Sequence, residues 1–419
     1  MSDPYAPFRY TAYRRFLFGG LLVQFGTAAQ SLAIGWEVYD RTGEPFALGL
    51  VGLAQAIPML ALTLPAGYLA DIYDRRHLVV ASMIGATLTS LALGVVSILS
   101  GPVWLVFVLL FLDSSFLRMG SPARTAITPL LVPREVFEGS IKWRTTLGHL
   151  TGVLGPAFGG FLISVSLPAA YGFSAACSLV FMVVIAGTTI REERRAARGA
   201  VWGKVVEGLR YVWSRKIVLG STSLDLFAVL LGGAVYLLPI FAERMATDPA
   251  GAPMGMTAEQ ILGWLRAAPA LGASIMAVIL AYSPAIRRAG RALFVSVAAF
   301  GVATIVFGFS KSFWLSAVTL LLTGAFDNVS MVIRHAVVQL ATPNEMRGRV
   351  SAVNSIFIGS SNELGGFESG LVAQLFSPVV SVVSGGIGTI AVVLIWSGLF
   401  PRLRRLGALS EVSEAPESD

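Results

Sequence analysis

Charged side chains stand inside several long apolar runs of this chain. Asp113 and Glu363 each lie near the middle of such a run, and Asp327 precedes Arg334 by seven residues. On a helix that spacing places Asp327 and Arg334 on one face, about 10 Å apart. A carboxyl group in an apolar medium changes its affinity for a proton with desolvation and with the approach of an arginine. Asp113, Glu363 and Asp327 are therefore candidate proton-binding groups; the alternative is that each forms a permanent ion pair between helices.

Other polar groups in these runs could anchor a charged or polar ligand. Arg118 follows Asp113 by five residues, about 140° around an ideal helix, so the two are poor partners within one helix. Arg118 is instead a competitor for Asp113 or a ligand anchor. Further candidates for charge pairing or for the lining of a cavity are Arg334, Asp225, Gln24, Gln30, Gln55, Asn354 and Asn362. Glu37 is expected at an outer surface, as part of a gate or of the interface.

The composition decides which elements carry these side chains. Of 419 residues, 55% are hydrophobic and only 13% are charged, whereas a soluble protein is roughly a quarter charged. Apolar runs of about 20 residues predict membrane-spanning helices, because the strands of a membrane barrel are about 10 residues long. Twelve spans are predicted, at about 16–39, 47–70, 78–99, 103–123, 141–165, 168–190, 217–242, 260–283, 292–310, 313–338, 349–374 and 377–400.

The basic residues predict the orientation of these spans. Most of the 31 Lys and Arg residues lie at the termini and in every second loop, and Arg41, Arg244 and Lys311 lie on the opposite side. The positive-inside rule then places both termini in the cytoplasm. The net charge of +7 is therefore a topology signal and does not indicate a nucleic-acid partner.

The two halves of the chain repeat each other at an offset of about 210 residues. Residues 123–126 match 333–336, and Pro133 and Glu135 match Pro343 and Glu345. This repeat predicts two six-helix bundles, at 1–190 and 217–405. Residues 191–216 form a linker with an amphipathic helix on the inner membrane surface, and the acidic tail 406–419 is expected to be disordered.

Two short motifs resemble those of the major facilitator superfamily. GYLADIYDRR, residues 67–76, resembles its signature loop but carries Ile72 and Asp74 where a basic residue and Gly are usual. GPAFGG, residues 155–160, resembles the motif of its antiporters. The segments 121–141 and 342–365 resemble inner loops of the branch that holds the enterobactin exporter and drug–proton antiporters.

The resemblance implies an all-α, twelve-helix carrier that exposes a central cavity alternately to each side of the bacterial inner membrane. It implies proton-coupled export of amphipathic small molecules, such as drugs or siderophore-like compounds, by a monomer. A lysophospholipid or other carrier without proton coupling is the alternative, and a transporter-like sensor is a third. No hydrolase, metalloprotease or nucleotide-binding motif is present. We therefore expect no catalytic residues, metal or cofactor, with the proton gradient as the energy source.

The signature loop is expected to act as a cytoplasmic gate. The resemblance places Asp71 opposite the start of the eleventh span, near Arg349, with Arg124 as its local partner. Gly67 would permit close helix approach, and Arg75 and Arg76 would fix the cytoplasmic side. The alternative is that the loop only sets topology.

The fifth span carries a face of small residues. Gly148, Gly152, Gly155 and Gly159 follow at helical spacing, with Pro156 and Gly160 beside them. Such a face lets helices approach closely and slide, and the proline permits a local bend. The expectation is a flexible seam; plain tight packing is the alternative.

Overall fold

The computed structural model describes residues 3–188, 201–248, 251, 253 and 255–409. Helices account for nearly all of this part of the chain, and it contains no strand. The α-helices are α1 Thr11–Thr42, α2 Pro45–Ile72, α3 Arg75–Ile98, α4 Val103–Ile127, α5 Arg134–Val165, α6 Leu167–Ala186, α7 Val201–Ser214, α8 Lys216–Leu231, α9 Leu238–Thr247, α10 Ala258–Tyr282, α11 Ala289–Phe309, α12 Phe313–Leu340, α13 Arg347–Leu375, α14 Pro378–Leu399 and α15 Pro401–Arg404. Short 3₁₀ turns lie at Ala6–Arg9, Thr128–Leu130 and Ala234–Leu237.

Eleven helical segments within the described residues are long and apolar enough to cross a membrane. The predicted eleventh span corresponds to α13, which has 29 residues and so extends about 43 Å. Its serine, asparagine and glutamate side chains make it more polar than the other eleven. The predicted all-α membrane fold with twelve spanning helices is confirmed, and α13 is the polar member of the set.

The predicted seventh span is interrupted near its middle. It consists of α8, the 3₁₀ turn Ala234–Leu237 and α9, and the break falls at Gly232 and Gly233. A Cβ atom on Gly233 would lie only 2.6 Å from the hydroxyl oxygen of Ser369. The position therefore excludes a side chain, and the missing Cβ lets the break pack directly on α13.

The turn between α2 and α3 explains the unusual Asp74. Its carboxylate caps α3 by accepting a hydrogen bond of 3.1 Å from the backbone N–H of His77. Gly67, in contrast, has no non-local atom within 4 Å of the position of a Cβ. The prediction that Gly67 permits close helix approach is wrong, because the helix face around it is open.

The chain divides into two compact units. The first comprises Met1–Gly43, Ile57–Gly199 and Thr257–Ala267, and the second comprises Glu44–Ala56, Ala200–Met256 and Ala268–Asp419. The first part of α2, up to Ala56, thus belongs to the second unit, and the first part of α10, up to Ala267, belongs to the first. A simple division of the sequence at 190 and 217 would place each in the other unit. That division into two sequence halves stays a prediction.

Each unit has its own apolar core. In the first, Tyr13, Phe16, Met83, Ile127 and Phe181 pack together from α1, α3, α4 and α6. In the second, one cluster joins α8, α11, α12 and α14, and another packs Val212 of α7 against Val350 and Val353 of α13.

The linker and the tail differ in part from the prediction. Residues 189–200 and 410–419 lie outside the described residues. The helix α7 lies in the predicted linker, with Val206 and Trp213 exposed and Val212 buried. Gly407 and Leu406 accept hydrogen bonds of 2.8 and 3.1 Å from the N–H groups of Ala289 and Gly290. The prediction of disorder is therefore wrong for residues 406–409.

Candidate functional site

Asp113 is the centre of a buried hydrogen-bond network in the first unit. Its side chain is only 5% exposed. The Thr89 hydroxyl donates to one carboxyl oxygen at 2.8 Å, and the Gln30 amide donates to the other at 3.1 Å. The network thus joins α4 to α3 and α1. Among the described residues Asp113 forms no ion pair, so hydrogen-bond donors alone stabilise its charge.

Gln30 extends this network by one further residue. Its amide oxygen accepts a hydrogen bond of 2.6 Å from the Ser90 hydroxyl. Both ends of the amide are therefore engaged, which fixes its orientation. Sequence reasoning included Gln30 among the cavity candidates but missed Thr89 and Ser90. Their only signal in the sequence was that two hydroxyl side chains follow each other within a predicted span. Many membrane helices contain such pairs without a functional role.

A second buried acid lies in the last turns of α1, in the same unit. Glu37 is 1% exposed and is paired with Arg41 at 3.0 Å on the next helical turn. The Tyr171 hydroxyl donates to its other oxygen at 2.5 Å, and Arg41 also donates to the Gly101 carbonyl. This pairing permits the burial of Glu37, and its place in an outer gate or at the interface stays a prediction.

The glycine face of α5 packs on α1. A Cβ on Gly155 would lie 2.8 Å from the Cβ of Ala28, and one on Gly159 would lie 2.9 Å from the Cα of Ala29. Gly160 meets the early turns of α10, where a Cβ would lie 2.8 Å from the Cα of Gly263. The two helix pairs therefore approach at backbone distance, and the sliding seam stays a prediction.

In the second unit, Arg334 of α12 is paired with Asp225 of α8. Both side chains are buried. The sequence placed Arg334 on one face with Asp327, but this ion pair ties the arginine to a different helix. Asp225, rather than Asp327, is therefore the ion-pair partner of Arg334.

Asp327 lines a cavity of about 240 Å³ within the second unit. Tyr236, Thr323 and Asn362 line it too, and the break at Gly232 and Gly233 forms part of its wall. Aromatic and aliphatic side chains complete the lining, which contains no lysine or arginine among the described residues. Discontinuous helices that border a polar pocket are a common construction of transport sites.

Glu363 lies next to this cavity. Its carboxylate accepts a hydrogen bond from the hydroxyl of Tyr236, which is itself a lining residue. The backbone of α2 passes closely, since a Cβ on Gly52 would lie 2.6 Å from the Glu363 carbonyl oxygen. Glu363 is therefore held by the packing of α2, α13 and the 3₁₀ turn.

The remaining polar candidates are divided between the units. Gln24 of the first unit donates to the Gly148 carbonyl at 3.3 Å. In the second unit Asn354 is buried, Gln55 is half-buried, and Asn362 donates to the Ile358 carbonyl at 2.8 Å. Arg118 is half-buried on α4. Asp327 and Asn362 therefore line one cavity, and Glu363 is hydrogen-bonded to Tyr236 in its wall.

The predicted gate residues have other partners within their own units. Asp71 is exposed, and Arg124 donates instead to the Leu117 carbonyl at 3.0 Å. The predicted Arg124–Asp71 pair is therefore wrong for the described residues. Arg349 is paired with Glu207 of α7 at 2.5 Å. Arg75 donates to the Ala70 carbonyl and Arg76 to the Ala186 carbonyl. The role of Asp71 as a latch stays a prediction.

Comparison with known proteins decides the family. The model of the family described as "Transmembrane secretion effector" matches residues 2–417. The chain belongs to this family of major facilitator superfamily transporters. Such proteins are multi-pass membrane transporters rather than enzymes.

Curated relatives of this family member include enterobactin exporters. The enterobactin exporter EntS of Escherichia coli O1:K1 / APEC is 26% identical over 381 residues, which cover 89% of this chain and 88% of the relative. EntS of Citrobacter koseri is 26% identical over 378 residues, with the same coverage. The predicted resemblance to the major facilitator superfamily, and to its members that act as exporters, is thus confirmed.

Solved structures show the same fold at lower identity. A mutant form of the nucleoside transporter NupG has a TM-score of 0.75 at 12% identity and covers 94% of this chain and all of its own. A D-xylose–proton symporter has a TM-score of 0.71 at 12% identity, covering 94% of this chain and 98% of its own. These two structures support the twelve-helix transporter fold, and their substrates are properties of those proteins.

Proposed function

We propose that this transporter exports amphipathic small molecules in exchange for protons, by alternating access across the bacterial inner membrane. In this proposal both termini are cytoplasmic, as the distribution of basic residues indicates. The observation that carries proton coupling is Asp113, which is buried inside a spanning helix without an ion-pair partner among the described residues. Ionisable groups in that position are costly and usually functional.

The network around Asp113 suggests how a proton is held. In the arrangement described, Thr89 and Gln30 both donate to the carboxylate. A protonated carboxyl must itself donate to an acceptor. A rotation of the Gln30 amide would present its oxygen to Asp113 and its NH₂ group to Ser90. The same residues can therefore satisfy both protonation states, with one amide rotation between them.

The cavity in the second unit supports an amphipathic ligand. Tyr236, Phe300 and Phe307 provide aromatic surface, and Thr323 and Asp327 provide polar contacts. Its volume of about 240 Å³ is below the roughly 300–1,000 Å³ of sites that hold an entire drug-sized molecule. It would thus accept one part of such a ligand, and the anionic Asp327 favours a part that is cationic or donates hydrogen bonds.

The relatives support export, because their curated name is enterobactin exporter. At 26% identity the substrate itself does not transfer, since specificity depends on the residues of the site. We therefore propose a siderophore-like or drug-like substrate as the class to be screened.

Two transport assays in proteoliposomes separate coupling from substrate movement. Lipophilic cations, catechol compounds and lysolipids are screened first for exchange without a pH gradient, and then for accumulation driven by one. We expect Asp113→Asn to retain exchange and to lose driven accumulation. Asp40→Asn, at an exposed position of α1, is the matched control and should keep both. Driven accumulation by Asp113→Asn equal to that of the parent would refute Asp113 as the coupling group.

A further inference from the structure

A second cavity lies within the first unit, away from the Asp113 network. Its volume is about 220 Å³, and its lining includes Tyr13 and Gln24 of α1, Arg124 of α4, Thr128 of the following 3₁₀ turn and Arg144 of α5. The lining contains two arginines and, among the described residues, no acidic side chain. The proposed proton coupling at Asp113 and the proposed ligand contacts of the Asp327 cavity use none of these side chains.

The polar groups of this cavity are incompletely satisfied. Thr128 is 3% exposed, and its buried hydroxyl has no hydrogen-bond partner among the described residues. A buried hydroxyl without a partner costs about 1–3 kcal/mol, and a rotation of the Thr128 side chain toward a ligand oxygen in the cavity would remove that cost. Arg124 donates to the Leu117 carbonyl through one terminal nitrogen, which leaves the rest of its guanidinium group for a ligand. Arg144 is exposed and forms no ion pair within the described part of the chain.

We propose that this cavity binds an oxyanion, with Arg124 and Arg144 as its cationic partners and the Thr128 hydroxyl as a neutral donor. Guanidinium groups suit phosphate geometry because they can donate two parallel hydrogen bonds. A volume of 220 Å³ corresponds to that of about seven water molecules at ~30 Å³ each. The space therefore accommodates a phosphate with a small substituent. The ligand is either the phosphodiester headgroup of an anionic phospholipid or a soluble phosphate.

The site is independent of the transported molecule and of Asp113. The Tyr13 hydroxyl donates to the Ser140 carbonyl at 2.7 Å, which joins α1 to α5 beside the cavity. An oxyanion held by Arg124 and Arg144 would add a second link, between α4 and α5. Binding should therefore stabilise the folded first unit.

Thermal unfolding of the purified full chain in a neutral detergent tests the proposal. The ligands are inorganic phosphate, dihexanoyl-phosphatidylglycerol and dihexanoyl-phosphatidylcholine, each titrated at constant ionic strength. We expect a saturable rise of the unfolding midpoint with phosphatidylglycerol, with phosphate or with both, and a much smaller effect of phosphatidylcholine. A response to phosphatidylglycerol alone assigns the lipid headgroup, and a response to phosphate assigns the soluble oxyanion.

Variants locate the binding. Arg144→Gln should weaken it about tenfold, as expected for loss of one charge-assisted hydrogen bond, and its exposed position makes it tolerant of substitution. Arg134→Gln removes the same charge from an exposed position of α5 outside the cavity and should bind like the parent. Thr128→Val should also weaken binding. No saturable response in the parent, an equal response to phosphatidylcholine, or equal weakening in Arg134→Gln would overturn the proposal.

Discussion

The side-chain amide of Gln30 donates to the carboxylate of Asp113 at 3.1 Å, across 83 residues of sequence. This hydrogen bond joins α1 to α4 in the interior of the first unit. It gives a buried acid a neutral partner that can donate through its NH₂ group or, after rotation, accept through its oxygen. Among the described residues, no lysine or arginine is paired with Asp113.

Removing the Gln30 amide should leave both of its hydrogen-bond partners, Asp113 and Ser90, without that bond. In Gln30→Leu, Asp113 loses a donor and Ser90 loses its acceptor, and each unsatisfied buried group costs about 1–3 kcal/mol. We expect a lower thermal unfolding midpoint and a loss of gradient-driven transport. Gln24→Leu, on the same helix, removes a single hydrogen bond and should lower the midpoint less. Equal midpoints for the two variants would contradict the proposed network.

The Asp225–Arg334 pair should behave as one unit. Removing one partner leaves a buried charge without compensation, which typically costs about 3–5 kcal/mol. We expect Asp225→Leu and Arg334→Met to be strongly destabilised singly, and the double variant to be more stable than either. Thermal unfolding of all three variants measures the coupling. Additive effects of the two changes would show that the ion pair does not couple α8 to α12.

The close approach of α5 to α1 should be sensitive to a single methyl group. Gly159→Ala would place a Cβ 2.9 Å from the Cα of Ala29, a backbone atom that cannot move aside. We expect reduced stability and reduced transport. Gly148→Ala is a control on the same helix, because its Cβ would lie 3.7 Å from the nearest side-chain atom, an ordinary contact. If both variants transported like the parent, the tight seam would have no role in the cycle.

Asp327 should select ligands by charge. In Asp327→Asn the cavity keeps its shape and loses its carboxylate, so transport of cationic amphiphiles should fall about tenfold or more, as expected for loss of a charge-assisted contact. Transport of neutral amphiphiles should change less. Thr323→Val, which alters another polar lining residue without changing charge, is the control. Equal losses for cationic and neutral compounds would remove Asp327 from ligand recognition.

The sequence predicted the spans well because length and apolar composition determine membrane insertion. It also placed Asp113 and Glu363 in mid-span. It did not identify Thr89 as the partner of Asp113, because the partners of a buried acid depend on how neighbouring helices pack and rotate against each other, which spacing along one helix does not give. The choice of Asp225 over Asp327 as the partner of Arg334 depended on helix packing for the same reason.

Helix packing and helix breaks were also hard to predict, because glycine is abundant in this chain. The chain has 44 glycines, and spacing alone did not distinguish Gly159, at backbone contact, from Gly67, in open space. The break at Gly232 and Gly233 lies inside a continuous apolar run, so hydropathy predicted an unbroken span. The cavity beside Asp327 followed from that break and had no signature in the sequence.

Proton movement through Asp113 is the most direct test of the account. Proteoliposomes with an acidic interior and a trapped pH dye receive a compound that the parent exchanges, and the internal pH is recorded. We predict alkalinisation of the interior with the parent and with Asp40→Asn, and none with Asp113→Asn that still exchanges the compound. Alkalinisation by Asp113→Asn at the parental rate, or substrate movement by the parent without any proton flux, would contradict the central claim.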